Sequence, residues 1–166
     1  MTYMATLAEL VAARELRKIA LPRLGRHEYE ERFIFGLPEF FAWLQTTARE
    51  ATPFYAGQAA VKYQIHDFLK QYITGKPLTS PRMFRTMRPV KDDIYELKTA
   101  DVRIFGWFYR KDVFIAVKGD LFCNVKFDES LYEAHRIECL RVRGIINLDE
   151  PKFVAGALNS DVLSNV

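Results

Sequence analysis

Apolar residues recur at helical spacing through the first half of the chain and at strand spacing through much of the second. Thr6 and Glu9 form a capping-box pattern around Leu7, with Leu10, Val11 and Leu16 following and Pro22 closing the segment. This predicts an amphipathic helix over residues 7–20, with Arg14, Arg17 and Lys18 on its solvated outer face. Residues 32–35 are a short strand ended by Gly36. After Pro38, the residues Leu37, Phe40, Phe41, Leu44 and Ala48 keep helical spacing to about Glu50. Thr52-Pro53 restarts the pattern, and Phe54, Val61, Ile65, Phe68, Leu69 and Tyr72 carry it to Gly75 and Pro77. So short a connection predicts an antiparallel αα-hairpin over residues 38–74, its aromatic stripe (Phe40, Phe41, Trp43 and Phe54) turned into the core against a sheet.

From Ile94 the period becomes two. Residues 94–98, 102–109 and 113–118 read as an antiparallel meander with turns at 99–101 and 110–112. Residues 121–126 either extend the sheet or lead into a last helix, which Asp128 or Ser130 caps and which runs to about Val142 before Gly144. The remainder has little period, and from Asn159 onward it is expected to fray.

The class that follows is α+β, an antiparallel β-meander packed against an αα-hairpin, with an extra N-terminal helix and a C-terminal helix. The 166 residues suit a single domain: an N-terminal extension over 1–28, a core over 30–143 and a tail over 144–166. With 49% hydrophobic and 27% charged residues spread along the chain, the composition is globular. Cys123 and Cys139 form no CxxC and read as reduced thiols. No signal-peptide pattern and no membrane-length apolar run occur, so the expected location is cytoplasmic.

Glycine-rich phosphate loops, GxSxG, HExxH and paired zinc ligands are missing, so no metal and no cofactor is expected. His27, His66 and His135 lie far apart and read as structural or solvated. The positive signal is cationic. Arg82, Arg85, Arg88 and Lys91 recur every third residue, and Lys98, Arg103, Arg110, Lys111 and Lys118 continue the series. Residues 82–118 hold nine Lys or Arg against five Asp or Glu, an excess larger than the net +3 of the whole chain. Alternation puts Arg103, Phe105, Trp107 and Tyr109 on one face of the middle strand. That face suits a phosphate held by a guanidinium while bases stack on rings. Equally, it suits a second core face with Arg103 paired to Glu96 or Asp101.

Met83-Phe84-Arg85-Thr86-Met87-Arg88, Ile94-Tyr95-Glu96-Leu97-Lys98, Val102-Arg103-Ile104-Phe105 and Val113-Phe114-Ile115-Ala116-Val117 together resemble the core of RelE/ParE-superfamily toxins, nearest their phage-derived HigB-like branch. Tyr132-Glu133-Ala134 with Arg136 resembles that family's closing helix. The resemblance covers about residues 30–143. It implies a RelE-like fold and a toxin of a toxin–antitoxin system: a metal-independent mRNA endoribonuclease acting at the ribosome and silenced by a cognate antitoxin protein. Position by position it implies Lys98, Arg103 and Lys118 for phosphate or transition-state charge and Tyr109 for proton transfer or stacking, with Glu96 orienting an arginine. Arg82, Arg85, Arg88, Lys91, Trp107, Arg110 and Lys111 would then contact nucleic acid.

The chain departs from the family at Leu121-Phe122-Cys123, where many relatives carry a Lys-Lys pair, and in its extra N-terminal helix. Two further readings therefore stand beside the toxin: a non-catalytic nucleic-acid- or protein-binding module on the same fold, and a ParE-like gyrase inhibitor. Self-association as a homodimer stays open in each. The cleaving reading requires Lys98, Arg103 and Lys118 to converge on one pocket.

Overall fold

The computed structural model describes residues 4–156 and 158–166. Its frame is a six-stranded open sheet. In chain order the elements are α1 (Leu7–Ala12), β1 (Arg17–Lys18), β2 (Phe33–Gly36), α2 (Pro38–Trp43, running on as a π-helical turn over Leu44–Ala48) and α3 (Val61–Ile73), then β3 (Phe84–Thr86), a 3₁₀ turn (Val90–Asp92), β4 (Tyr95–Lys98), β5 (Val102–Arg110) and β6 (Val113–Leu121), and finally α4 (Phe122–Phe127), α5 (Ser130–Ile145) and α6 (Asn159–Val162). The strand order is β1-β2-β6-β5-β4-β3, and only the β2–β6 pair is parallel.

The expected meander is present as β4–β5–β6, and β5 sorts its side chains as alternation dictates. Val102, Ile104 and Phe108 join a core with Ile34, Phe40, Phe68 and Tyr72 beneath α2 and α3. Phe105, Trp107 and Tyr109 join a second core with Leu10, Ile115, Cys139 and Val142 beneath α1 and α5. A sheet covered on both faces explains why β5 is buried at nearly every position. Two glycines admit close neighbours: a Cβ on Gly106 would stand 1.8 Å from the Ile115 carbonyl oxygen, and one on Gly119 would stand 2.2 Å from the Trp43 ring.

Three expectations are corrected and one open alternative is decided. The helix over 7–20 ends at Ala12, because Arg14 takes a left-handed φ of 61° and the Leu10 carbonyl accepts from both Glu15 and Leu16; Arg17 and Lys18 instead pair as β1 with Gly36 and Phe35. The tight helical hairpin is not formed. Residues 51–60 are irregular, Gly57 sits at φ 84°, the Phe54 N–H is held by Asp101 Oδ1 (2.8 Å), and α3 begins only at Val61. Phe54 is therefore 36% exposed rather than in the core. Of the two alternatives for 121–126, the stretch leads into the last helix: residues 122–127 form the short helix α4 ahead of α5. The tail does not fray: Val162 and Leu163 are fully buried, the Val162 carbonyl accepts from Asp112 N–H, and the Val154 N–H donates to the Phe108 carbonyl.

Candidate functional site

The cationic series ends at the β3–β4 margin of the sheet. Arg85 on β3 faces Glu96 on β4 in register, and Lys98 faces Arg103 on β5. The Glu96 carboxylate is fully buried and lies between two guanidiniums, with Arg85 Nε at 2.7 Å from Oε2 and Arg103 Nε at 3.0 Å from Oε1. The second contact lacks hydrogen-bond alignment, so Arg103 Nε and Glu96 Oε1 are buried without a hydrogen-bond partner. Arg103 Nη1 donates to the carbonyls of Thr99 (2.6 Å) and Val102 (2.9 Å), and its guanidinium lies 4.6 Å from the Phe122 ring centroid. Burial lowers the pKa of Arg85, but the hydrogen bond and charge of Glu96 together with Tyr132 outweigh it and leave the group above its ordinary value. The Tyr132 phenol is pushed up by burial and by Glu96, against Arg103 and Arg85.

Two clefts open from this cluster. One, of about 710 Å³, is lined by Arg82, Lys98 and Arg103 together with Gln58, Gln64 and Gln71. The other, of about 550 Å³, lies beside Arg85, Arg88, Glu96 and Tyr132. Lys98 donates to the Pro81 carbonyl at 3.1 Å. Burial lowers its pKa; Glu96 opposes that, while Arg85 and Arg103 reinforce it. Arg82, Arg88 and Lys91 are exposed, and among the described residues they pair with no carboxylate. They are positive charge left available to solvent.

The other expected residues do not gather here. Lys118 pairs with Glu39 of α2 at 3.5 Å, and Tyr109 lies six residues along β5 from Arg103, about 20 Å at strand rise. Tyr109 is only 8% exposed, with the Arg110 guanidinium 3.9 Å from its ring centroid and donating to its hydroxyl at 3.2 Å. Lys111 is exposed in the turn after β5, at that same far end. Trp107 is wholly buried, its Nε1 donating to the Lys152 carbonyl at 2.8 Å, so its ring cannot stack on a base in this fold. Of the four residues assigned to catalysis, two share a cleft and two do not. The fold builds the second core face, with Arg103 paired to Glu96.

One pair went unread in the sequence. His135 Nε2 and Asp120 Oδ2 lie 2.7 Å apart, with His135 stacked on Phe105 at 4.6 Å. Asp120 also accepts from Leu121 N–H and Asn124 Nδ2, both at 2.8 Å. Burial raises its pKa, but the His135, Asn124 and Leu121 hydrogen bonds prevail and hold it below the ordinary value. The pair ties α5 and α4 to β6. Among the described residues no group of three or more His, Cys, Asp or Glu is placed to hold a metal ion, and no helix is long and apolar enough to cross a membrane.

Compared with protein-family models, curated proteins and solved structures, the chain gives no significant match.

Proposed function

We propose that this protein binds nucleic acid, RNA foremost, along the β3–β4 margin, and that it binds without cleaving. The observation that carries the reading is the set of exposed cations Arg82, Arg88 and Lys91, which pair with no carboxylate among the described residues: Arg82 lines one cleft with Lys98, Arg88 lines the other, and Lys91 lies in the 3₁₀ turn between β3 and β4. Cations not neutralised by their own protein are available to phosphates, and the counterions they displace give the affinity its salt dependence. The finer likeness supports the same reading: a strand, two helices and the β4–β6 meander follow the order of RelE/HigB-type toxins, which act on RNA. Cleavage is left out because Lys98, Arg103, Tyr109 and Lys118 share no locus, and Arg103 is already engaged by Glu96.

Fluorescence anisotropy with a labelled RNA hairpin bearing a single-stranded tail tests the reading. Affinity should fall with log salt at about 0.7 per neutralised phosphate of single strand. The Arg82→Ala/Arg88→Ala/Lys91→Ala variant should lose at least about tenfold in affinity, a shallower salt slope accompanying it, with its melting temperature kept because surface changes away from packed features cost little. No binding at low salt, or equal binding by the variant, overturns the proposal. Metal-independent RNA cleavage abolished by Arg103→Ala would replace it with the toxin reading.

A further inference from the structure

Beside the 710 Å³ cleft lies a group of rings the cation series does not include. Phe54 and Tyr55 of the irregular segment 51–60 meet Phe122 and Phe127 of α4: Phe54 has its centroid 4.7 Å from Tyr55, 6.0 Å from Phe122 and 5.8 Å from Phe127. Tyr55 is 51% exposed and Phe127 77%. Apolar surface of this kind, gathered rather than scattered, marks a contact site. It is not an ordinary apolar patch. The Lys126 ammonium stands in its midst, 4.9 Å from the Phe54 centroid and 5.0 Å from that of Tyr55, and donates to the Tyr55 hydroxyl at 2.6 Å.

The patch and the cleft are one surface. Arg103 lines the cleft and lies under the Phe122 ring. The segment carrying Phe54 and Tyr55 is fastened to the cleft wall by the Phe54 N–H to Asp101, whose other oxygen accepts from Gln64 (2.6 Å), and Gln58 of that segment lines the cleft itself. Flat rings with a cation among them, continuous with a basic trough, match a ligand that is both anionic and planar along its length. An apolar protein partner has no use for the ammonium, and a duplex keeps its bases stacked inside.

We infer that Tyr55 and Phe127, with Lys126 between the rings and the strand's phosphates, form a base-stacking platform that makes this protein a reader of single strands. The inference rests on the nucleic-acid reading above and specifies which form is bound. Stacked bases contribute through their π-faces, so the platform tolerates sequence while rejecting paired bases.

The test compares oligouridine with an RNA duplex of the same length, on the parent protein, on Tyr55→Ala/Phe127→Ala and on the Arg82/Arg88/Lys91 alanine variant. The two aromatics are exposed, so their removal should leave the fold intact, which a thermal melt checks. The aromatic variant should lose roughly tenfold or more for oligouridine, with its salt slope and its duplex binding unchanged. The cation variant should lose affinity for both and flatten the slope. If the aromatic variant holds oligouridine as the parent does while the cation variant does not, the platform is refuted and the basic margin survives. If the parent holds neither ligand, both readings fall. Sedimentation showing that the parent self-associates and the aromatic variant does not would assign the patch to a second copy of the chain and refute the platform as well.

Discussion

Each half of the sheet buries an arginine beside a strand, and the two do different things with it. Arg32, preceding β2, is fully buried; its Nη1 donates to the carbonyls of Lys76 (2.9 Å) and Tyr72 (3.3 Å), Nη2 donates to the Ser164 carbonyl, and Nε lies 3.4 Å from Asp112. Apart from the Tyr72 ring, 5.6 Å from its guanidinium, its contacts end in the protein's own backbone or in the turn that receives the tail. Arg103 is almost as deeply buried, but its charge is shared with Glu96 and Arg85 and its edge reaches a cleft and an exposed ring patch. A buried cation closed on all sides is a fastening. One that borders solvent-facing cations of the same sign is a foundation for a charged surface. The lesson is that the surroundings of an arginine, not its burial, separate architecture from function.

Removing the fastening should have the largest effect. Arg32→Leu takes the counter-charge from Asp112 and the guanidinium donor from the carbonyls of Tyr72, Lys76 and Ser164, and losing one partner of a buried charged cluster costs roughly 3–5 kcal/mol. Urea unfolding should register that loss, and proteolysis should attack the freed tail around Val162 and Leu163 first. A variant as stable as the parent would show that the tail holds itself, and the contrast with Arg103 would weaken. Glu96→Gln probes the other side. It removes the carboxylate from between two guanidiniums, so stability should drop by roughly 3 kcal/mol. Arg85 is released toward the second cleft, so RNA affinity should rise at the same time. Stability and binding moving in opposite directions is what a foundation predicts; a joint fall would make the cluster merely structural.

The two arginines also show what the sequence could and could not reveal. The meander was legible because residues 94–118 alternate cleanly, and β5 sorts Ile104 from Phe105 as that alternation requires. β1 and β3 were not, being two and three residues long and drawn from charged stretches, and neither has a period to detect. Residues 145–166 lacked periodicity because their burial is achieved residue by residue, by Leu148, Val162 and Leu163 filling gaps. The cation run is plain in sequence, and a pairing of Arg103 with Glu96 or Asp101 is one of its readings; strand register is what selects Glu96 and brings Arg85 to the same carboxylate. Phe54 was read as core because Thr52-Pro53 imitates a helix start. The surface it builds with Phe127 spans more than seventy residues of sequence, a separation that no local pattern reports.

A smaller effect is expected where the margin is braced from behind. Asp120 and His135 tie α4 and α5 to β6, and Asp120→Asn replaces a charge-assisted acceptor by a neutral one at a cost of about 1–2 kcal/mol. The sign follows from the depressed folded-state pKa: the contribution is fully present above the ordinary value of 3.8 and is lost as pH falls through the lower folded value. The parent-minus-variant difference in stability should therefore shrink in acid as the carboxylate is protonated. A difference independent of pH down to strongly acid solution would mean that the bond is not made by the carboxylate.

The smallest expected effect sharpens the comparison most, because the β1 end of the sheet is basic too. Arg14 and Arg17 line a third cleft with Phe41, and the Arg17 guanidinium lies 4.8 Å from the Phe41 ring centroid. Composition alone would rank this end as an equal candidate for an anionic strand. Arg14 and Arg17 also pair with no carboxylate among the described residues, but they lie across the sheet from β3 and β4, and charges more than about one Debye length from a bound strand contribute little to holding it. Arg14→Gln/Arg17→Gln should accordingly leave RNA affinity within about twofold of the parent, since no phosphate contact is removed. A loss as large as that of the Arg82/Arg88/Lys91 variant would move the interface to the opposite edge and leave the Glu96 cluster as a second fastening, equivalent to the one around Arg32.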